Sequence, residues 1–476
     1  MKRLKRFLLV ILACILPVLV NAAPTVFPHG VTIYKPDKCW NGYTLIATIN
    51  AVRPGEKAVP LGVPIIDMNG NVVHEWKNAV GFPPKLLPGG HLLAGLIKPG
   101  RTGIEVNTIA QFDFNGNIEW QWDKAEEVQV KGPDGKLEKI WVAGQHHDVQ
   151  REPNPVGYYA PGQDAYVDKG RTLILGREPS SLIIGKQYTY TDAHERMMEV
   201  DWQGNVVWDY RGSAHKDDGV SRPEWMGQKG PWGANSMSWL GRNKWYEAGD
   251  ERFHPDNIIL DNLADVIFII SKKTSKVTWQ VGPDFSKYPQ LAKLGIKRDE
   301  FNGLTGGYQG GMMHHAHMIP KGLPGEGNIL VFKNGSPYSI VMEFNPVTLE
   351  VVWEYGGPAL GYGESHGLAH YFSSPAISSV QRLPNGNTMI CEGDGGRIFE
   401  VTKELETVWE YIYPVYHWEG LGGVLRDYKQ PKRVAKANSV YRAYRYPYSY
   451  VPQLKKPVER SVTPPKLEDW RLPVDK

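Results

Sequence analysis

The stretch Ile65-Ile66-Asp67-Met68-Asn69-Gly70-Asn71-Val72-Val73-His74-Glu75-Trp76 decides the fold, because it recurs along the chain. It joins an apolar alternation, an Asn-Gly turn and a second alternation that ends in an aromatic residue. Copies of it occupy residues 111–122 and 198–210, and later copies end at Trp279, Trp353-Glu354-Tyr355 and Trp409-Glu410-Tyr411. Asn-Gly between alternating apolar runs predicts a β-hairpin whose two turn positions both take a positive φ.

A second repeated unit lies between these hairpins. It reads Leu87-Pro88-Gly89-Gly90-His91-Leu92-Leu93, and further copies lie at residues 327–332 and 383–390. Two hairpins per repeat make a four-stranded sheet, and about six such sheets in a ring make a β-propeller. In register, the aromatic position of the repeat is occupied by His74, Trp120, Trp208, Trp279, Trp353 and Trp409. We predict an all-β, six-bladed β-propeller with long inserted loops, in which these residues pack one blade against the next.

Length and composition limit the alternatives. A chain of 476 residues would by length alone contain several domains, but the repeat predicts a single propeller over residues 23–414. We assign residues 415–476 to an irregular, basic and Tyr-rich tail that packs on the propeller. With 11% aromatic and 22% charged residues, a disordered chain is excluded, and three cysteines exclude a disulfide-stapled miniprotein or a multi-zinc thiolate protein.

The N-terminus has the pattern of a secretory signal peptide. Four basic residues precede an apolar run, 7–20, that is followed by the small residue Ala22. We expect cleavage near Ala22 and a periplasmic or secreted protein; a lipoprotein anchored at Cys14 is less favoured because the apolar run continues past it. The run is shorter than the ~20 residues of a membrane span. Removing the four basic residues of segment 1–22 changes the formal charge from +3 to −1, so any attraction for an anion must be local.

Two features of the mature chain allow alternative interpretations. Cys39 and Cys391 could form a disulfide that locks the ring, or could be two separate buried thiols. Basic residues alternate with tyrosines between Arg426 and Lys456, a pattern that can bind nucleic acid or another polyanion. Export argues against nucleic acid, and we expect the tyrosines to pack on the rim of the propeller.

The histidines carry the functional signal. They cluster in Gln145-His146-His147-Asp148, in Arg252-Phe253-His254-Pro255-Asp256-Asn257 and in Met313-His314-His315-Ala316-His317. His147, His314 and Ser378 each stand six residues before a proline, at Pro153, Pro320 and Pro384 respectively. Equivalent positions in successive blades converge at one end of a propeller channel, so we expect His147 and His314, together with His254, to share one pocket. His366 and His370 lie outside this register and are interpreted as structural.

Converging imidazoles suit two kinds of chemistry. Neutral histidine is the commonest metal ligand, and Asp148 or Asp256 could complete a copper or zinc site. Alternatively, one imidazole acts as a nucleophile while the others stabilise a developing anion. The sequence contains neither the His-x3-His nor the Cys-x2-Cys spacing that would make a metal site specific, and spacing alone leaves both open.

Three longer stretches resemble the bacterial arylsulfate sulfotransferases, a family of periplasmic six-bladed propellers. They are residues 314–320 leading to Phe332-Lys333-Asn334-Gly335, residues 249–257, and residues 381–388 leading to 396–402. The resemblance extends from about Gly42 to Pro414. It implies transfer of a sulfuryl group from a phenolic sulfate ester to a phenol through a transiently sulfated histidine, without a nucleotide sulfate donor or a cofactor.

The resemblance also implies roles for individual residues. It places the nucleophile at His314, a second functional histidine at His147 and a third at His254. Candidate substrate-binding residues are His146, His315, His317, Asn257, Asn334 and Lys272. The sequence departs from the family pattern at Met313 and His315, and lacks an arginine after the His-Asn segment, where the nearest cations are Lys272 and Lys273.

The expected partners follow from the same resemblance. They are small aromatic sulfate esters and phenols. We expect no nucleic-acid partner and no membrane span, and we expect the protein to be a monomer or a homodimer. There are two alternative functions. One is a metalloenzyme with copper or zinc at the histidine cluster, and the other is a non-catalytic propeller that binds a glycan or a protein. No phosphate-cradling Gly motif or Ser-centred nucleophile elbow is present in the sequence.

Overall fold

The computed structural model is a six-bladed β-propeller with almost no helix. It describes residues 29–48, 62–96, 108–123, 126–131, 137–142, 145–178, 195–215, 233–262, 266–281, 313–335, 338–360, 372–415, 417–418 and 436–464. The fold class predicted from the repeat is therefore confirmed. The signal-peptide segment 1–22, His366 and His370 lie outside the described residues.

Each blade is an antiparallel sheet whose four core strands follow one another from the channel outwards. Blade 1 consists, in that order, of Val440–Tyr446, Tyr43–Thr48, Val63–Ile66 and Val72–Trp76. Blade 2 consists of Ala79–Leu87, His91–Leu96, Ile109–Phe112 and Ile118–Trp122. Blade 3 consists of Gln145–Arg151, Thr172–Arg177, Glu195–Val200 and Val206–Arg211.

The second half of the ring is built in the same way. Blade 4 consists of Ala234–Trp239, Ile258–Asn262, Ile267–Ser271 and Lys276–Val281. Blade 5 consists of Met313–Met318, Ile329–Lys333, Ile340–Phe344 and Val351–Tyr355. Blade 6 consists of Ser379–Arg382, Thr388–Glu392, Arg397–Val401 and Thr407–Ile412, and Gly30–Tyr34 adds a fifth strand at its outer edge.

Other regular elements are short. Among the described residues, the α-helix is Lys244–Glu247, and the 3-10 turns are Gly212–His215, Glu251–Phe253, Gly357–Leu360, Gly393–Gly395 and Tyr448–Tyr450. Glu126–Lys131 pairs with Leu137–Val142, and His417–Trp418 pairs with Lys436–Ala437. Within the described ranges, no helix is long and apolar enough to cross a membrane.

The innermost strands position the site. Neighbouring blades contact each other all the way round, from blade 1 through blade 6 and back to blade 1. Because the blades are related by rotation about the ring axis, all six innermost strands run in the same direction. We call the end where these strands begin the leading end of the channel, and the other the trailing end. Side chains of the innermost strands are buried almost throughout, so the centre of the ring is filled by protein.

The glycine turns of the repeat, at Asn69-Gly70, Asn115-Gly116 and Gln203-Gly204, form as predicted in position but with a different geometry. Gly70, Gly116 and Gly204 have φ of 84°, 85° and 89°, whereas the residue before each is not in the left-handed region. Only the glycine of each turn has a positive φ, so the expectation of two positive φ values per turn is wrong. Each turn is also followed by a shift in strand register. The turns are held by an aspartate instead: the Asp67 carboxylate accepts the backbone N–H of Asn71 at 2.9 Å.

The repeated tryptophans pack one blade against the next, as predicted. The indole N–H of Trp409 in blade 6 donates to the Met68 carbonyl of blade 1, at 2.9 Å. Trp120, Trp279 and Trp353 donate in the same way to Trp202, Pro346 and Lys403 of the following blade. His74, which takes the tryptophan position in blade 1, stacks instead on Phe114 of blade 2, with ring centroids 4.0 Å apart. Burial of such large side chains stabilises each junction by roughly 1.5–3 kcal/mol.

The C-terminal region closes the ring. The segment 440–446, assigned from the sequence to an irregular tail, forms the innermost strand of blade 1 and pairs with Tyr43–Thr48. Tyr441, Tyr444 and Tyr446 are buried in the channel and do not cover its rim. The Cys39 and Cys391 thiols are not bonded to each other, and both lie in one apolar cluster between blades 1 and 6.

Candidate active site

The histidines of blades 3 and 5 lie at the leading end of the channel, where their innermost strands begin. The innermost strands bulge there, between Gln145 and Val149 in blade 3 and between His314 and His317 in blade 5. The left-handed residue of each bulge is His147, with φ of 55°, and His315, with φ of 59°. The proline spacing aligned His147 with His314, whereas in the structure His147 corresponds to His315. The alignment was wrong by one residue because the bulge in blade 3 is longer than the bulge in blade 5.

His314 is held in a defined tautomer by Asn334. The Nδ1 atom of His314 lies 2.5 Å from the Asn334 side-chain oxygen. The Asn334 amide nitrogen donates to the carbonyls of Ser374 and Ile377, at 2.8 and 2.7 Å, and this fixes which end of the amide faces the imidazole. Nδ1 of His314 must therefore carry the proton and Nε2 the lone pair. Within the described part of the chain, no residue hydrogen-bonds to that Nε2.

The environment of His314 keeps its imidazole neutral. Burial lowers the pKa of His314 to about 3, and the nearby positive charge of Arg442 acts in the same direction. The hydrogen bond to Asn334 opposes this shift in the pKa without cancelling it. A neutral imidazole with a lone pair on Nε2 is the form that can attack an electrophile or bind a metal.

His315 and His317 are saturated by the protein. The Nδ1 of His315 donates to the Val380 carbonyl at 2.8 Å, so its Nε2 accepts from the Tyr444 hydroxyl at 3.0 Å. His317 Nδ1 lies 2.7 Å from the His315 carbonyl, and its Nε2 accepts from the Tyr158 hydroxyl at 2.8 Å. Burial lowers the pKa of His317 to about 4 and that of His315 well below its ordinary value. Neither ring offers an open nitrogen: His315 ties blade 5 to blades 6 and 1, and His317 ties it to Tyr158, in the loop after the innermost strand of blade 3.

A second histidine pair lies at the start of blade 3. The Nδ1 atoms of His146 and His147 face each other at 2.6 Å, and His146 Nε2 lies 2.7 Å from a carboxylate oxygen of Glu195. The other Glu195 oxygen accepts the backbone N–H of Gly233 at 2.9 Å. His146 and Glu195 are buried, whereas His147 is half-buried with its ring against that of Tyr441, at a centroid distance of 6.4 Å.

Buried charges of three blades meet in the channel. The Asp148 carboxylate is 3.1 Å from Lys85 of blade 2 and 2.6 Å from Arg442 of blade 1. Arg442 also donates to the Asn235 carbonyl of blade 4 at 2.7 Å. Burial lowers the pKa of Lys85 to about 8, while the charges of Arg442 and Lys85 hold the pKa of Asp148 below its usual value although burial by itself raises it. Two cations thus share one carboxylate.

Asp261 is a further buried acid close to this cluster. One of its oxygens accepts the Ser236 hydroxyl and the backbone N–H of Ala316, the latter at 2.7 Å. Its other oxygen has no hydrogen-bond partner among the described residues. Burial raises the pKa of Asp261 to about 7. The charge at the centre of the channel consequently changes when Asp261 ionises near neutral pH.

His254, Asn257 and Lys272 lie at the trailing end. His254 and Asn257 stand between the end of the innermost strand of blade 4 and the start of its second strand, where Trp239 pairs with Ile258. The Asn257 side-chain oxygen accepts the backbone N–H of Lys272 at 3.1 Å, and the Lys272 ammonium is 2.5 Å from Glu199. The strand length of the blade separates these three residues from His314, so the expectation that His254 shares its pocket is not met.

Four residues of the site were not selected from the sequence: Lys85, Glu195, Asp261 and Arg442. Three of them interrupt apolar or aromatic alternation in a strand, as in Tyr441-Arg442-Ala443-Tyr444. A charged residue at a position where its neighbours predict burial is a signal for a paired buried charge. The other two of the three are Asp261, which follows Ile258-Ile259-Leu260, and Lys85, which precedes Leu86-Leu87.

Comparisons with known proteins do not assign the chain to a family. No family model and no curated protein matches the chain. A solved structure of a protein of unknown function from Bacteroides caccae is similar to it, with 11% sequence identity and a TM-score of 0.40. The match covers 85% of this chain and 98% of that one. Among the residues that the structure describes, no group of three or more His, Cys, Asp or Glu side chains is arranged to hold a metal ion.

Proposed function

We propose that this protein is an aryl-sulfate sulfotransferase in which Nε2 of His314 attacks the sulfur of a phenolic sulfate ester. The observation that carries the proposal is the His314–Asn334 hydrogen bond. It keeps the proton on Nδ1 and leaves the lone pair on Nε2, in a ring that burial keeps neutral. Covalent catalysis by a side chain that is a weak nucleophile requires a neighbouring residue that orients and activates it.

The charge distribution of the channel supports an anionic substrate. Lys85 and Arg442 share the single carboxylate of Asp148, so this part of the channel carries an excess of positive charge whenever Asp261 is protonated. A sulfuryl group in transfer carries negative charge on its oxygens, and fixed cations in a water-poor site stabilise it strongly. Arg442 provides a positive charge on the closing strand, although the chain lacks the arginine that the related family carries after its His-Asn segment.

The reaction has two halves with a sulfated His314 between them. In the first half, the S–O bond to the donor phenol breaks as the bond to Nε2 forms, and a proton neutralises the departing phenolate. In the second half, an acceptor phenol loses its proton and its oxygen takes the sulfuryl group from His314. His147, half-buried at the same end of the channel, is the proton-transfer group of this proposal.

The test is incubation of the purified protein with 4-nitrophenyl sulfate and phenol, alongside elemental analysis. We expect phenol-dependent release of nitrophenol that is lost in His314→Ala, and a sulfuryl adduct on the peptide that contains His314. His254→Ala, at the trailing end, is the matched control and should retain activity. Stoichiometric copper or zinc without turnover would replace the proposal with a metalloenzyme, and neither activity nor metal would favour a binding propeller.

A further inference from the structure

The amide of Asn334 is orientated by a turn of blade 6. The turn consists of residues 374–378, directly before the innermost strand of that blade, and we call it the blade 6 turn. Its carbonyls at Ser374 and Ile377 both accept from the Asn334 amide nitrogen, at 2.8 and 2.7 Å. With the nitrogen held there, the side-chain oxygen of Asn334 faces Nδ1 of His314. The blade 6 turn therefore determines which nitrogen of that imidazole carries the proton.

The backbone of the blade 6 turn is strained. Ile377 has a φ of 53° and Ser378 a φ of 100°, whereas residues other than glycine seldom take a positive φ. For a β-branched residue such as Ile377 the conformation is especially unfavourable. Residues in such conformations persist only where the surrounding structure holds them, and they are concentrated at functional sites. The blade 6 turn therefore needs specific contacts that keep it in place.

Two hydroxyls and a carboxylate supply those contacts. The Ser374 hydroxyl donates to the Ala376 carbonyl at 2.8 Å and accepts from the Ser378 hydroxyl at 3.0 Å. It also accepts the backbone N–H of Asp394 at 3.1 Å, and the Asp394 carboxylate accepts the backbone N–H of Ala376 at 3.0 Å. The Ser378 hydroxyl accepts the backbone N–H of Gly393 at 3.1 Å. These bonds fasten the blade 6 turn to the 3-10 turn that follows the second strand of the same blade.

We propose that Ser374 and Asp394 are positioning residues for His314, because they hold the turn that orientates Asn334. The inference rests on the proposed sulfotransfer for its effect on rate, whereas its effect on the tautomer of His314 does not depend on that function. Without these contacts, the Asn334 amide can flip and present its nitrogen to Nδ1 of His314. Nδ1 must then carry the lone pair and Nε2 the proton, so that Nε2 no longer attacks sulfur.

The two residues should affect the rate of sulfuryl transfer and leave substrate binding unchanged. We expect Ser374→Ala to lower kcat with 4-nitrophenyl sulfate and phenol about 10- to 100-fold, and Asp394→Ala about 10-fold, with KM near the wild-type value. Asp394→Asn keeps an oxygen that can accept the Ala376 N–H and should restore most of the rate. Ser379→Ala is the matched control, because its buried hydroxyl directly follows the turn but accepts the backbone N–H of Ala443 in blade 1. It should leave kcat unchanged.

Nitrogen NMR measures the tautomer of His314 directly and requires no turnover. In the wild-type protein, ¹⁵N shifts should show His314 protonated on Nδ1. In Ser374→Ala and Asp394→Ala, the signal of the Nε2-protonated form should appear. An unchanged tautomer in both variants would overturn the inference whatever their kcat. Protonation on Nε2 in the wild-type protein would also overturn it, and that result does not depend on whether a variant folds.

The positioning of His314 and the proposed function fail in different ways. If the wild-type protein turns over no aryl sulfate but Ser374→Ala shifts the tautomer, the sulfotransfer is wrong and the role of the blade 6 turn stands. If the wild-type protein is active and neither variant changes kcat or the tautomer, the sulfotransfer stands and the role of the turn is wrong.

Discussion

At the scale of single residues, a buried histidine can react only if one of its ring nitrogens is not already hydrogen-bonded within the protein. The described part of the chain contains several buried histidines, but His315 and His317 use both ring nitrogens to join blades. His314 differs because Asn334 engages one nitrogen and leaves the other without a described partner. The tautomer and orientation of His314 therefore depend on a neutral side chain twenty positions away in sequence.

Replacing Asn334 with alanine should reduce the rate of sulfuryl transfer about 10- to 100-fold, because a lost buried hydrogen bond costs about 1–3 kcal/mol and the Nδ1 tautomer is no longer enforced. The measurement is kcat with 4-nitrophenyl sulfate and phenol. Asn257→Ala removes an equally buried asparagine at the trailing end and should leave kcat near the wild-type value. An unchanged kcat in Asn334→Ala would show that another group orientates His314.

Asp261 should make stability depend on pH in an unusual direction. Its pKa is raised to about 7 from an ordinary value of 3.8, so the folded state binds a proton more tightly than the unfolded state. The stability of the wild-type protein should therefore fall as the pH rises through the window between these values. Asp261→Asn cannot ionise, and between pH 5 and pH 8 it should gain roughly 3 kcal/mol relative to wild type.

Urea denaturation at the two pH values measures this difference. Asp209→Asn is the control from blade 3: burial by itself raises the pKa of Asp209, but the hydrogen bond and charge of Arg196 hold that pKa below its ordinary value, so Asp209 is ionised throughout the window and the cost of its replacement should not vary. A difference between Asp261→Asn and wild type that is the same at both pH values would contradict the raised pKa.

At the scale of elements, the closing strand 440–446 combines structure and electrostatics. It completes blade 1, and its Arg442 reaches Asp148 of blade 3 and Asn235 of blade 4. Its Arg445 forms a second fully buried ion pair, with Glu400 of blade 6. One strand thus holds buried carboxylates of two other blades, 3 and 6, and a backbone carbonyl of a third, blade 4.

Arg442→Met should lower the free energy of unfolding by about 3 kcal/mol, since it leaves Asp148 buried with Lys85 as its remaining cation. Equilibrium denaturation at neutral pH is the measurement. Lys38→Met, which breaks an exposed pair with Glu406, should have little effect because water screens that interaction. Equal effects of the two substitutions would mean that the buried cluster contributes no more than a surface pair.

The repeat was sufficient to predict the blades, because it encodes local structure. It could not predict features that depend on contacts between distant parts of the chain. Hairpins are local, so turn residues and strand alternation were sufficient to place the tryptophan positions that join successive blades. The pairing of Tyr43 with Tyr446 spans almost the entire chain, and no local pattern encodes it. The histidine register failed by one residue for a related reason, because the length of a bulge at His147 or His315 depends on packing in the channel. The predicted position of His254 was wrong because the repeat showed which blade His254 belongs to but not at which end of that blade its loop lies.

At the scale of the whole molecule, ring closure determines whether the channel exists. Blade 1 takes three strands from the N-terminal part of the chain and its innermost strand from the C-terminal part, so the two ends of the fold are joined inside one sheet. The channel charges, His147 and His314 are arranged around that innermost strand. We therefore expect the ring to fold and the site to assemble in one cooperative step.

Deleting residues 439–476 should abolish cooperative unfolding, because it exposes the edge of Tyr43–Thr48 and removes Arg442 from two buried partners. Near-UV circular dichroism during thermal denaturation should show no sharp transition for this variant. Deleting only residues 465–476 leaves every described strand in place and should preserve the transition. A cooperative transition in the longer deletion would mean that five complete blades and the remaining strands of blade 1 close a stable ring, and that the last strand serves the site but not the fold.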